Sequence, residues 1–155
     1  MRVNIADEII PGLWLGNIDA SQSKEFLTHN KIQATFNCTK NIPFHEAVKK
    51  CYRVPVDDNL QEEEIRNMEL WAFEAVYKLR IEHKNGPVLV HCHAGMQRSA
   101  CVVAMYLIAI KNLKYEDAIK YIREKRPIAF TPNANFLRSI QGFERAYNKE
   151  IRSKL

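Results

Sequence analysis

Apolar and polar residues alternate along this chain at two different periods. Near the start, Ile9-Ile10 and Leu13-Trp14-Leu15 flank Pro11-Gly12, which predicts two short strands around a tight turn. Residues 19–29 predict a helix stopped at Asn30, and residues 33–37 and 51–56 predict strands. Residues 62–83 predict a long amphipathic helix with Ile65, Met68, Ala72, Val76 and Leu79 on one face. Glu62, Glu63 and Glu64 form a charge run that suits its N-terminus, and Asn85-Gly86 ends it. Residues 87–90 predict a buried strand. Residues 99–110 are apolar nearly all round and predict a central helix. Ala118, Ile119 and Ile122 stripe a shorter helix that ends before Pro127. Thr131-Pro132 reads as N-cap and first turn of a last helix, whose inner face carries Phe136, Ile140, Phe143 and Tyr147.

Strands alternating with helices predict an α/β fold, with a central, mainly parallel (mixed) sheet flanked by helices. The 155 residues suit a single domain covering 1–155. In such folds ligands bind beyond the carboxyl ends of the strands. Residue 92, a cysteine, stands at such an end.

Composition narrows the setting. No segment is long and apolar enough to span a bilayer, MRVNIADEII lacks the apolar core of a signal peptide, and Arg2 stands where myristoylation needs glycine. The net charge of +5 is scattered, so no nucleic-acid tract and no membrane patch is expected. Cys38, Cys51, Cys92 and Cys101 contain no CxxC pair, which points to free thiols in the cytoplasm or nucleus. Asn37-Cys38-Thr39 matches a glycosylation acceptor, but without a leader Asn37 reads as a strand-end residue with a local hydrogen-bonding task. Ser153-Lys154-Leu155 matches a peroxisomal address, an alternative localisation.

The chemistry concentrates in VLVHCHAGMQRSA, residues 88–100. A buried strand ends in Cys92, six residues before Arg98 and the next helix. The intervening loop can curl so that the N–H groups of His93, Ala94, Gly95, Met96, Gln97 and Arg98 converge, with helix-terminal potential behind them. Gly95 frees the dihedrals, and the fork of Arg98 can grip two phosphate oxygens. The same field favours the thiolate of Cys92, which would sit beneath a bound phosphate. Ser99 can donate to that thiolate, most usefully when it leaves in a second step. His91 points away from Cys92, to bond backbone and hold the loop closed, whereas His93 can edge the pocket.

His-Cys-x-x-Gly-x-x-Arg-Ser, here His91, Cys92, Gly95, Arg98 and Ser99, resembles the signature loop of the protein tyrosine phosphatase superfamily. With IIPGLWLGN, FNCT, YRVPVDDN and RPIAFTPNANF in family order, nearly the whole chain is similar to the compact dual-specificity phosphatases. The resemblance implies a protein tyrosine phosphatase-like fold and hydrolysis of phosphotyrosine and phosphoserine/phosphothreonine through a phosphocysteine. It implies a phosphoprotein partner and no metal or cofactor. It also implies an acid on a mobile loop, matched by Asp58 ahead of its neighbour Asp57; the plain alternative for either is helix capping.

Two departures stand out. Gln97 replaces the serine that often precedes the arginine, and Asn135 replaces a common glycine before Phe136. An RNA 5′-triphosphatase or phosphoinositide phosphatase on the same scaffold, and a non-catalytic phosphate-binding module, stay as alternatives. HCHAGMQRS lacks the interior lysines of phosphoinositide-directed relatives and the Asn-Arg-Thr ending of RNA-directed ones. Zinc is a weaker rival, because adjacent strand residues face opposite ways.

Overall fold

The computed structural model describes residues 3–153, so Lys154 and Leu155 of the terminal tripeptide lie outside the described residues. Strand β1 (Ala6–Ile10) folds back on β2 (Leu13–Gly16) through Pro11-Gly12, where Gly12 takes a φ of 80° and donates to Glu8 Oε2 at 2.9 Å. The remaining strands, β3 (Ala34–Asn37), β4 (Lys50–Arg53) and β5 (Val88–His91), complete a sheet of order β1-β2-β5-β3-β4. The first pair is antiparallel and every other pair parallel, the mixed sheet expected from the alternation.

Strand β4 ends sooner than the apolar run suggested. Val54 N–H makes one more bond, to Asn37 O at 2.9 Å, and then Pro55 offers no donor. The chain leaves the sheet there and runs toward Asp57 and Asp58.

The helix expected over 19–29 is two helices, α1 (Ile18–Ser21) and α2 (Lys24–His29). Asn17 Oδ1 caps the first and Ser23 Oγ caps the second by accepting Phe26 N–H at 3.0 Å. A serine that accepts from the backbone three residues on starts a helix rather than continuing one. The long helix α3 (Glu62–Asn85), the central α4 (Arg98–Lys111) and α5 (Tyr115–Lys125) fall where the periodicity placed them. Helix α6 (Leu137–Ser153) starts later than expected. Thr131-Pro132 is a cis peptide within an irregular segment, and the Thr131 hydroxyl donates back to Ile128 O at 2.7 Å instead of capping a helix.

Both faces of β5 are covered. Val88 and Val90 join the main core with Met68, Leu79, Met105 and Phe143, while Leu89 joins a smaller cluster with Ala20, Leu27, Ile32 and Val48. Helix α4 packs on β5 and is surrounded by α3, α5 and α6, so it is buried from Ser99 to Ile108. This rigid pair, strand β5 and helix α4, carries the loop between them.

Candidate active site

Residues 92–97 turn tightly between β5 and α4, and the carbonyls of this loop are tied outward one after another. The buried His91 ring donates from Nδ1 to Cys92 O at 3.3 Å. His93 O accepts from Ile18 N–H at 2.9 Å, and Met96 O accepts from Phe130 N–H at 2.8 Å. Between them Arg126 donates from Nε to Gly95 O at 2.8 Å and from Nη2 to Ala94 O at 3.4 Å. A trans peptide points its C=O and the following N–H in opposite directions. Fixing the carbonyls of residues 92–96 outward therefore turns the N–H groups of residues 93–97 inward, as an anion cradle requires. Gly95 is indispensable to this path. Its φ is 67°, and a Cβ there would meet Gly16 O at 2.6 Å.

Cys92 Sγ lies at the base of the loop, 3.1 Å from Ser99 Oγ. Burial pushes a thiol up, but here the hydroxyl and N–H of Ser99, the Arg98 guanidinium and Gly95 N–H outweigh it, and the Cys92 pKa falls below its ordinary value. Cys38 and Cys101 are pushed well up by burial, which for Cys38 outweighs the opposing charge of Arg98. Arg98 spends Nη1 on Val56 O at 3.0 Å, and its Nε is buried without a hydrogen-bond partner among the described residues. A buried guanidinium N–H with no partner is costly unless an anion meets it. Burial lowers the His91 pKa to about 4, so the ring is neutral, with the positive charge of Arg53 and Arg98 adding to the effect.

The segment after β4 comes to the same place. Arg98 holds Val56 O and Asn67 Nδ2 holds Pro55 O at 3.0 Å. Asp57 is engaged elsewhere: its carboxylate meets Lys40 Nζ at 3.1 Å and its N–H points to Glu64 Oε1. Asp58 is exposed, and its Oδ1 accepts from Asn135 Nδ2 at 2.9 Å. The two adjacent aspartates, of which the resemblance puts Asp58 ahead, thus have different neighbours. Glu64 stands in the first turn of α3, as the helix-start charge run predicts, but it is also buried, and Lys40 at 2.7 Å holds its carboxyl below the usual range.

The structure brings Cys92, Arg98 and Ser99 together, exposes His93 and Ala94 at the rim, and puts Asp58 beside the loop through Asn135. Asn37 is fully buried and bonds Ile42 O and Thr39, the local task expected of it. Sequence reasoning missed Arg126, whose place after an amphipathic helix reads as an ordinary basic helix end. Among the described residues no three His, Cys, Asp or Glu side chains converge on a point that could hold a metal.

A lowered-pKa cysteine under inward N–H groups, with an arginine at a helix start beyond a parallel strand, is the arrangement of a cysteine-dependent phosphatase scaffold. Residues 13–146 match the model of the dual specificity phosphatase catalytic domain, and the chain belongs to that family. Human dual specificity protein phosphatase 4 is 32% identical over 139 residues, which cover 88% of this chain and 34% of that protein. Human dual specificity protein phosphatase 1 is likewise 32% identical, over 88% of this chain and 36% of its own length. The chain thus spans about a third of the length of these curated relatives. The crystal structure of human DUSP28 superposes with a TM-score of 0.77 at 26% identity, covering 95% of this chain and 97% of that one. Human tyrosine phosphatase-like serine/threonine/tyrosine-interacting protein gives a TM-score of 0.71 at 28% identity, with 92% and 97% covered.

Proposed function

We propose that this chain is a dual-specificity protein phosphatase acting on phosphotyrosine and phosphoserine/phosphothreonine in protein substrates. The observation that carries the reading is the loop itself. Its N–H groups face one point above a thiolate-favouring Cys92, and the buried Nε of Arg98 has no partner among the described residues.

In the first step the Cys92 thiolate attacks phosphorus and the P–O bond to the substrate breaks. Asp58 gives its proton to the departing oxygen, and the N–H groups of residues 93–98 with Arg98 carry the charge of the equatorial oxygens. In the second step Asp58, now a carboxylate, takes a proton from water as that water attacks the phosphocysteine. The S–P bond breaks, and Ser99 Oγ donates to the thiolate that re-forms. Two features favour Asp58 over Asp57 for the acid. Asp57 is occupied by Lys40, whereas Asp58 is exposed and tied to the segment beside the loop.

The test is phosphate release from matched phosphotyrosine and phosphothreonine peptides and from 5′-triphosphate RNA, with Cys92→Ser as control. Cys92-dependent release from both peptides is expected. Release from RNA alone would replace the substrate class. Binding of phosphopeptides without release would overturn the enzyme reading in favour of a recognition module.

A further inference from the structure

The two positions at which the loop region departs from its family pattern, Gln97 and Asn135, belong to one chain of hydrogen bonds. The Gln97 side chain is buried and donates from Nε2 to Thr131 O at 3.2 Å and Asn133 O at 2.8 Å. Its Oε1 accepts from Asn135 N–H at 2.9 Å. The side chain of Asn135 then donates to Asp58 Oδ1. We infer that Asn135 is a positioning residue, which, anchored through Gln97, holds Asp58 over the loop before substrate arrives.

A glycine at 135 has no amide to offer, and a serine at 97 is too short to bridge three backbone groups of the 131–135 segment. The anchor is firm on both sides: Phe130 N–H is bonded to Met96 O, and Phe136 is buried in the core. The acid, by contrast, sits on an exposed stretch from Asp58 to Leu60. Without the tie, ordering that stretch would be a cost met in every catalytic cycle; with it the cost is met on folding. Among the described residues only Oδ1 is engaged, so Oδ2 is left to carry the proton. The benefit is largest where the leaving group most needs a proton, the alkoxide of phosphoserine and phosphothreonine, and smallest for an acidic phenol.

This inference rests on Asp58 being the acid, so the experiment includes that residue. We would measure kcat and KM for Asn135→Gly, Gln97→Ser, their double variant and Asp58→Asn, on a phosphothreonine peptide and on p-nitrophenyl phosphate. For Asn135→Gly the kcat loss on the peptide should exceed that on p-nitrophenyl phosphate by about fivefold, the scale of one hydrogen bond to a neutral carboxyl, since Asp58 carries its proton when it acts as the acid. Gln97→Ser should show the same selectivity, and the double variant should be no worse than Asn135→Gly, because both act through one bond. Equal losses on the two substrates, or no loss, would overturn the inference. If Asp58→Asn itself keeps full activity on the peptide, the acid assignment fails instead. Should Asn135→Gly not fold, Asn135→Ala removes the same donor at lower backbone cost and is read the same way.

Discussion

Arg126 Nη1 lies 2.7 Å from Asp7 Oδ2, joining the end of α5 to β1 across nearly the whole length of the chain. The guanidinium is fully buried, and its other donors hold Asn4 O, Gly95 O and Ala94 O. One charge pair therefore closes the N-terminal strand against the loop and fixes the direction of two of its peptide groups. Removing a single partner leaves the other charge desolvated and the carbonyls unpaired. Arg126→Met should cost about 3–5 kcal/mol in urea unfolding and weaken inhibition by inorganic phosphate as well. Unchanged phosphate inhibition in a folded Arg126→Met protein would separate this residue from the loop.

Gly95→Ala should be more selective. A left-handed φ costs alanine about 1 kcal/mol or more, and the added Cβ collides with Gly16 backbone. The loop must open, so turnover of aryl phosphates should fall about a hundredfold or more as inward donors are lost. Near-normal turnover would mean that the N–H groups are not what holds the anion.

The lowered Cys92 pKa makes an alkylation prediction. Near pH 6, iodoacetamide should label Cys92 ahead of Cys51, although Cys51 is exposed and Cys92 is 2% exposed. Inorganic phosphate should protect Cys92 and not Cys51. Ser99→Ala removes the nearest donor and should move the labelling midpoint of Cys92 to higher pH. A midpoint that does not move would discount the 3.1 Å contact.

His91 predicts how stability depends on pH. Its folded pKa of about 4 lies below the ordinary histidine value, so as pH falls the unfolded chain takes up a proton first. The contribution is complete above about pH 6.5 and is lost toward pH 4, amounting to about 3 kcal/mol at the bottom of the window. The carboxylates held low, Glu64 and Glu82, keep their contribution above their ordinary range and lose it as pH falls on through their lowered folded values. Urea unfolding of His91→Asn between pH 5 and 6.5 should therefore be flatter than that of the parent. Parallel curves would place the proton uptake on another group.

The apolar periodicity made the sheet, the central helix and the loop legible, because Val88–Val90 and residues 99–108 are buried on every side and their burial leaves a continuous record. Cys92, Arg98 and Ser99 could be read together because they sit within eight consecutive positions. What stayed hidden was set by capping and by distant polar partners. Ser23 restarted a helix that periodicity carried through. Thr131 turned its hydroxyl back to Ile128 O, so the last helix began at Leu137. Arg126 acts on Gly95, 31 positions away, Glu64 on Lys40, 24 away, and Asn135 on Asp58, 77 away, and no local pattern marks partners so distant. The resemblance already puts Asp58 ahead of Asp57; the pairing of Asp57 with Lys40 is a feature that only the fold supplies.

The central claim is that Cys92 becomes covalently phosphorylated. The most direct measurement is rapid acid quench of the Asp58→Asn protein during turnover of an aryl phosphate with an acidic leaving group, followed by peptide mass spectrometry. That variant should pass the first step and stall before hydrolysis, so a phosphoryl group should accumulate on the peptide holding Cys92 and be absent in Cys92→Ser. Phosphate released at full rate with no adduct on Cys92, or an adduct on another residue, would contradict the account.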